Sequence, residues 1–401
     1  MKLGIIRETK MPIDRRVPLA PWQCRELMER FPGVEVMVQP SPHRCFSDSE
    51  YTDENITIKE DLSGCSVLMG VKEVSIETLL EGKTYLFFSH IAKKQPYNRK
   101  LLQAIVQQKI RLIDYEYLTR ADRTRVVAFG RWAGVVGAYN GLRALGRYTG
   151  RYDLLPAFQC RDLSRLKTEL QKVDAGSVRI AITGGGRVAG GASEILDAAG
   201  IRQVEPSDYL ERSFDHPVCT RLDPWHYTRH REGIPFDFDH FVSHPELYRN
   251  SFIPFARHTD LYVACHFWDP RSPELLGHRD LQDPGIPIRI IADISCDIHG
   301  PIASTIRAST IDEPFYGYDP VTRKETDPFH PDVITVMAVD NLPGELPRDA
   351  SADFGHALMK HVIPELIGEW DTGMMKRACI AEDGKLTGEY AYLKDYLEGR
   401  E

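Results

Sequence analysis

Five short polar segments in the first third of the chain follow four apolar runs. Arg7-Glu8-Thr9-Lys10 and Asp14-Arg15-Arg16 come after Leu3–Ile6, and Lys72-Glu73 after Val67–Val71. His90 follows Tyr85–Ser89, and Glu116 follows Leu112–Tyr115. Burial and neighbouring charges can tune lysine and histidine to exchange protons near neutral pH, so Lys72 and His90 are candidate acid–base groups. A nearby carboxylate would set that tuning. Arg15 or Arg16 carries the planar fork that clamps a carboxylate through two hydrogen bonds. Taken singly, a strand-terminal lysine is more often a solvated surface residue, and a lone histidine a satisfied structural one. Titratable residues at three strand ends are what argue for a site. The chain has no G-x-S-x-G, no H-E-x-x-H and no kinase motif set. The combination favours hydride transfer to a small charged molecule over acyl transfer, zinc hydrolysis or phosphoryl transfer.

The second chemical signal lies mid-chain. Gly184-x-Gly186-x-x-Ala189 fits the G-x-G-x-x-G/A pattern, with an apolar run, Val178–Thr183, before it and a helical stretch, Ala192–Ala199, after it. The first glycine permits a tight turn, and the second lets backbone approach a pyrophosphate. The helix start then offers unpaired N–H groups to the anion. Arg187 and Val188 complete the loop, and Arg187 could reach a phosphate. Glu205, about 20 residues on, is expected to take the ribose hydroxyl pair, which favours NAD. Its bland alternative is the start of a turn with Pro206, and Arg187 keeps NADP open.

Positioning these residues requires alternating strands and helices. Strands are expected at Leu3–Ile6, Val34–Val38, Ser66–Gly70, Thr84–Ser89 and Arg111–Tyr115, with helices at Pro21–Arg30 and Tyr97–Gln108. A long helix, Ala133–Tyr148, is expected to lead into a second domain. That domain has strands at Val178–Thr183, Arg202–Glu205, Leu261–Cys265, Ile288–Ile294 and Val333–Val339. Residues 211–257 carry Pro, His, Asp and aromatic residues without periodicity and read as an insertion. Leu342–Gly368 reads mostly as helix. The expected fold class is α/β, with two Rossmann-like domains whose parallel sheets flank an interdomain cleft. Residues 1–134 with about 345–401 form the substrate and catalytic domain, and residues 135–344 the dinucleotide-binding domain. Lys72, His90 and Glu116 would then gather at the carboxyl edge of the first sheet.

Composition narrows the partners. Fifty Lys and Arg against 58 Asp and Glu leave a net charge of −8, which disfavours coating a nucleic acid. The eight cysteines form no C-x-x-C pair, so reduced thiols are expected and a metal site is not. No stretch approaches a membrane span, and the short apolar N-terminus is no signal peptide, so a cytoplasmic protein is expected.

Several longer stretches resemble a known family. Arg7-Glu8-Thr9-Lys10 through Arg16-Val17-Pro18-Leu19-Ala20-Pro21 resembles the opening of the alanine dehydrogenase/transhydrogenase superfamily. Gly70-Val71-Lys72, Lys83 to His90, Arg111 to Glu116, Arg125 to Gly130 with Trp132-Ala133-Gly134, and Asp340-Asn341-Leu342-Pro343 are similar to its saccharopine dehydrogenase (lysine-forming) branch. Within that branch the likeness is to the lysine–2-oxoglutarate reductase half of the aminoadipic semialdehyde synthases. The resemblance implies that lysine and 2-oxoglutarate condense to an imine, which an NAD(P) hydride reduces to saccharopine. It implies Lys72 and His90 as the acid–base pair, with Glu73 and Glu116 tuning them. It also implies Arg16, assisted by Lys10, on a substrate carboxylate, Arg125 at the second dicarboxylate end and Asp340 near the nicotinamide. Val188 stands where the fungal enzymes carry cysteine. Related opine-type or alanine dehydrogenases, and a non-catalytic NAD(P)-binding sensor, stay open as alternatives. Expected partners are small molecules, with a homodimer admitted.

Overall fold

The structure is a computed structural model that describes residues 1–368 and 372–400. The expected range 345–401 therefore includes 369–371 and 401, which lie outside the described residues. The chain divides into two compact units, Met1–Phe129 with Pro347–Glu401, and Gly130–Leu346. Each is built on one eight-stranded sheet.

The sheet of the first unit runs Lys385–Leu386, Cys379–Glu382, Arg111–Asp114, Thr84–Phe87, Val67–Met69, Lys2–Ile5, Glu35–Val38, Thr57–Ile58 in spatial order. The last six are mutually parallel. Cys379–Glu382 joins antiparallel to Arg111–Asp114, and Lys385–Leu386 pairs antiparallel with Cys379–Glu382. Successive residues point to opposite faces. Leu86 and Ile113 accordingly pack into one core with Leu27, Phe354 and Met375. Tyr85, Phe87 and Leu112 pack into another with Leu102, Ile105 and Leu393. Burial on both faces is why these strands read as unbroken apolar runs. It also confines polar residues to the strand ends.

The second unit orders its strands Lys324–Thr326, Phe315–Asp319, Ile334–Met337, Ile290–Asp293, Leu261–Ala264, Arg179–Thr183, Val218–Leu222, Arg202–Gln203. From Ile334–Met337 onward all are parallel, while Phe315–Asp319 and Lys324–Thr326 run antiparallel. Three expectations are corrected here. The segment read as an insertion from residue 211 contributes Val218–Leu222, a strand inside the main sheet. The strand expected at Arg202–Glu205 is only Arg202–Gln203, at the sheet edge. The helix expected after the Pro-rich start of Leu342–Gly368, itself a 3₁₀ turn at Leu342–Glu345, is broken into an α-helix at Pro347–Ala357, a π-helical turn at Leu358–Val362 and a short helix at Ile363–Ile367. Pro364 lacks the N–H and would clash with the carbonyl four residues back, so the wide turn precedes it.

The long helix, Gly130–Thr149, begins three residues earlier than expected and packs on the helix Arg187–Ala198. The crossing is close because both sides use glycine. A Cβ at Gly134 would strike the carbonyl oxygen of Val188, and one at Gly191 that of Arg131. At Gly190 the same atom would meet nothing within 4 Å. Gly191→Ala should therefore destabilise by about 1–3 kcal/mol, the usual cost of forcing extra volume into packed structure. Gly190→Ala should leave the melting temperature unchanged or slightly raised, since alanine restricts the unfolded chain. Thermal denaturation of the two variants side by side checks this; equal melting temperatures would refute the close crossing.

Candidate active site

In the first unit, the carboxyl ends of four adjacent parallel strands lead into the segments that carry the candidate residues. Beyond Met69 lies Glu73, a buried carboxylate that joins two of the expected residues. Lys10 Nζ donates to Glu73 Oε2 at 2.6 Å, and His90 Nδ1 is 2.8 Å from Oε1. Burial alone would resist ionisation of Glu73, but the hydrogen bonds from His90 and Lys10 outweigh it and hold its pKa down at about 2. Glu73 is thus an anion that can only accept, which makes His90 Nδ1 the donor. Nε2 is then the ring nitrogen that carries the lone pair.

Lys72 is mostly buried, and its backbone is tied down. The amides of Val71 and Lys72 donate to the two carboxylate oxygens of Glu8, at 2.6 and 2.9 Å. Burial lowers the Lys72 pKa from the ordinary lysine value, and the nearby Arg16 charge lowers it further; Asp14 and Glu73 oppose. Burial also pushes the Glu8 carboxyl up, to about 8.

His90 itself adopts a left-handed backbone conformation with φ of 52°, uncommon for a side chain of its size. The turn is braced from below. Asn98 Nδ2 donates to the Ser89 carbonyl at 3.1 Å, and Asp114 Oδ2 accepts from the Ser89 amide at 3.1 Å and from its hydroxyl. Asp114 Oδ1 accepts from the Glu116 amide at 2.8 Å, so one buried carboxyl ties the His90 turn to the Glu116 turn. Burial pushes Asp114 up to about 6. The sequence reading missed Asp114 and Glu8. The signal for Asp114 was an acidic residue closing the apolar run Leu112-Ile113.

The remaining first-unit candidates pair among themselves. Arg125 Nη2 donates to Glu116 Oε1 at 2.6 Å, and Lys93 Nζ lies 3.2 Å from Oε2. The carboxylate bonded to His90 is therefore Glu73, while Glu116 holds Arg125 and Lys93. Arg16 is buried, with Nε and Nη2 on the two oxygens of Asp14 at 2.9 and 2.5 Å and its guanidinium 4.2 Å from the centre of the Phe129 ring. Burial opposes the charge on Asp14, yet Arg16 holds its carboxyl well below the usual carboxylate range.

In the second unit the loop at Gly184 fits a dinucleotide. Gly184 has φ of 116°, and a Cβ there would come within 2.7 Å of the Cys265 carbonyl oxygen. Gly186 is open and caps the helix Arg187–Ala198, whose first N–H groups face a cavity of about 700 Å³ lined by Gly184 to Val188. The acidic residue at this cavity is Asp223, against whose carboxylate a Cβ at Gly185 would press. Glu205 does not line it. Val218–Leu222 lies between the glycine-loop strand and the edge strand that leads to Glu205. Glu205 instead occupies the N-cap position of the short helix Pro206–Glu211. Asp340 is exposed beyond the carboxyl end of Ile334–Met337. Among the described residues no group of three or more His, Cys, Asp and Glu could hold a metal ion, and no helix is long and apolar enough to cross a membrane.

Residues 4–136 match the family described as alanine dehydrogenase/PNT, N-terminal domain. An alpha-aminoadipic semialdehyde synthase of Arabidopsis thaliana is 31% identical over 98% of this chain. This chain spans 41% of that relative's length, under half of it. A saccharopine dehydrogenase [NAD(+), L-lysine-forming] of Yarrowia lipolytica is 25% identical over 90% of this chain and 92% of its own. Among solved structures, an L-alanine dehydrogenase superposes with a TM-score of 0.67 at 16% identity, covering 100% of this chain and 99% of that one, which shows a shared fold. With residues 4–136 matching the alanine dehydrogenase/PNT N-terminal domain, the chain is similar along nearly its whole length to alpha-aminoadipic semialdehyde synthases and to lysine-forming saccharopine dehydrogenases, and its two mostly parallel sheets share the fold of L-alanine dehydrogenase.

Proposed function

We propose that this chain interconverts lysine plus 2-oxoglutarate with saccharopine, using NAD(H). The observation that carries the reading is the Lys10–Glu73–His90 chain beside Lys72, whose pKa burial lowers, on the sheet edge that also holds Arg16. In this reading the first unit takes the substrates and the second the dinucleotide. Lys72 Nζ accepts a proton from the substrate ammonium, which frees the amine to attack the keto carbon. His90 Nε2 takes a proton from the adding nitrogen and hands it to the keto oxygen, and the proton held by Lys72 completes the water that leaves as the protonated imine forms. Glu73 stabilises the imidazolium that His90 passes through, and Lys10 keeps Glu73 charged. Arg16, set in place by Asp14, and Arg125, set by Glu116, attract the carboxylates of 2-oxoglutarate. When bound, the reduced nicotinamide supplies the hydride for the imine carbon.

Gly184, Gly186, Arg187 and Val188 cradle the pyrophosphate in this reading, with Asp340 on the nicotinamide side. Asp223, rather than Glu205, takes the adenosine ribose. A carboxylate there accepts hydrogen bonds from both ribose hydroxyls and repels a 2′-phosphate, and the Yarrowia lipolytica relative is named for NAD(+).

The test is an assay that follows oxidation of NADH or NADPH with lysine and 2-oxoglutarate, then with other amine and keto-acid pairs. Turnover is expected with lysine, 2-oxoglutarate and NADH. No turnover with that pair, but turnover with ammonia and pyruvate, would replace the proposal with an alanine dehydrogenase. In the same assay Asp223→Ser should lower kcat/KM for NADH by about ten- to a hundredfold, the scale of a lost charged hydrogen bond. NADPH should be affected less, and Glu205→Ala should change neither.

A further inference from the structure

The rest of the stretch read as an insertion builds a wall. After Asp223 come the short helix Pro224–Tyr227 and an antiparallel pair, Thr228–His230 with Tyr248–Asn250, with the helix Phe238–Ser243 between its strands. Trp225 stands on the first helix and Phe238, Phe241 and Val242 on the second, all lining the cavity that starts at the glycine loop. Phe267 lines it from beyond the strand Leu261–Ala264.

Much of this lining is bare. Trp225 is 51% exposed, Phe238 56% and Phe267 89%. Large apolar side chains scattered over a surface need no explanation, but several around one concavity mark a site for an apolar partner. The wall is also supported from behind. Phe236 lies 6.2 Å from Trp225 and 5.5 Å from Phe241, and Tyr248 meets Phe236 and Phe241 at 5.7 and 4.9 Å between ring centres. These ring contacts hold Trp225 and Phe241 in place, which lowers the entropy lost when a ligand stacks on them.

Chain direction identifies the occupant. A dinucleotide whose pyrophosphate meets the helix start at Gly186 and whose ribose meets Asp223 must place its base beyond Asp223. The next residues of the chain are Pro224 and Trp225. We propose that residues 224–250, with Phe267, form an aromatic clamp for the adenine ring of the cofactor. The proposal rests on the reading of the glycine loop as a dinucleotide site. The clamp recognises the base by its π face, so it tolerates changes at the base edge.

Calorimetric titration of the full chain with NADH, ADP-ribose and nicotinamide mononucleotide tests it. Phe238→Ala and Phe267→Ala should each weaken NADH and ADP-ribose about tenfold, as loss of one base–ring stack does. Nicotinamide mononucleotide, which lacks the adenosine half, should change by less than about twofold, and the hypoxanthine analogue of NADH should bind wild-type protein within about threefold of NADH. Phe238→Leu keeps an apolar side chain and serves if the alanine variant fails to fold; it should still weaken ADP-ribose. Variants that melt like wild type and bind ADP-ribose with wild-type affinity would overturn the clamp while leaving the dinucleotide site standing. Wild-type protein that binds neither NADH nor ADP-ribose would overturn the dinucleotide reading, and the clamp with it.

Discussion

Lys72→Met should lower turnover of lysine and 2-oxoglutarate by about 10²–10⁴-fold, the contribution of a positioned acid–base group, while changing NADH affinity by less than about twofold. The size follows from where the ammonium sits. Burial and the Arg16 charge both pull the Lys72 pKa below the lysine value of 10.5, so the amine is more often neutral, and able to accept a proton, than an exposed lysine would be. Methionine has similar length and no proton to exchange. The backbone bonds from residues 71 and 72 to Glu8 survive the substitution because they use amides, not the side chain. The melting temperature should therefore hold, which separates a lost base from a lost fold. Wild-type kcat/KM should rise with pH along a limb below 10.5, and the variant should lack that limb. Near-normal rates would remove Lys72 from the chemistry.

The sequence made some of this geometry legible and hid other parts for a physical reason. Apolar runs such as Tyr85-Leu86-Phe87 read correctly as strands because a parallel sheet covered on both faces admits only apolar side chains. The charged residue that ends such a run falls at the same edge as its neighbours, since right-handed crossovers return every strand in one direction. Lys72, His90 and Glu116 could thus be placed near one another from chain order alone. Strand order could not. Glu205 has the expected spacing from the glycines, but spacing does not say which strand lies beside Arg179–Thr183. The sheet places Val218–Leu222 there, and its ending in Asp223 went unread because the flanking residues are polar and aperiodic. Side-chain pairing was hidden too. Asp14 and Arg16 are two residues apart, yet only the fold shows that the guanidinium is buried with its fork on that carboxylate. The antiparallel strands Phe315–Asp319 and Cys379–Glu382 were missed although each is as long as strands that were read: Gly317 and Asp319 interrupt the first run, and Glu382 closes the second after Cys379-Ile380-Ala381.

Glu73→Gln should be nearly as damaging as loss of Lys72, although Glu73 has no proton to give at working pH. The carboxylate accepts from Lys10 on one oxygen and from His90 on the other. An amide of the same shape has one acceptor oxygen, so it can satisfy only one of these donors and turns an N–H toward the other. If the oxygen stays with Lys10, His90 faces a donor and its ring must take the opposite tautomer, with Nδ1 unprotonated and Nε2 no longer the accepting nitrogen. If it stays with His90, the imidazolium still loses the anion that stabilises it. Either way kcat should fall by about 10² or more, the share expected of a positioned histidine. Unaltered NADH binding tells this from simple damage. Stability has its own sign. The Glu73 pKa is depressed from 4.5 to about 2 in the folded chain, so wild type should exceed the glutamine variant in stability above pH 4.5 and lose that margin as pH falls toward 2. An unchanged kcat would show that His90 takes its protons without Glu73, and the Lys10–Glu73–His90 chain would then be a structural tie rather than part of the reaction.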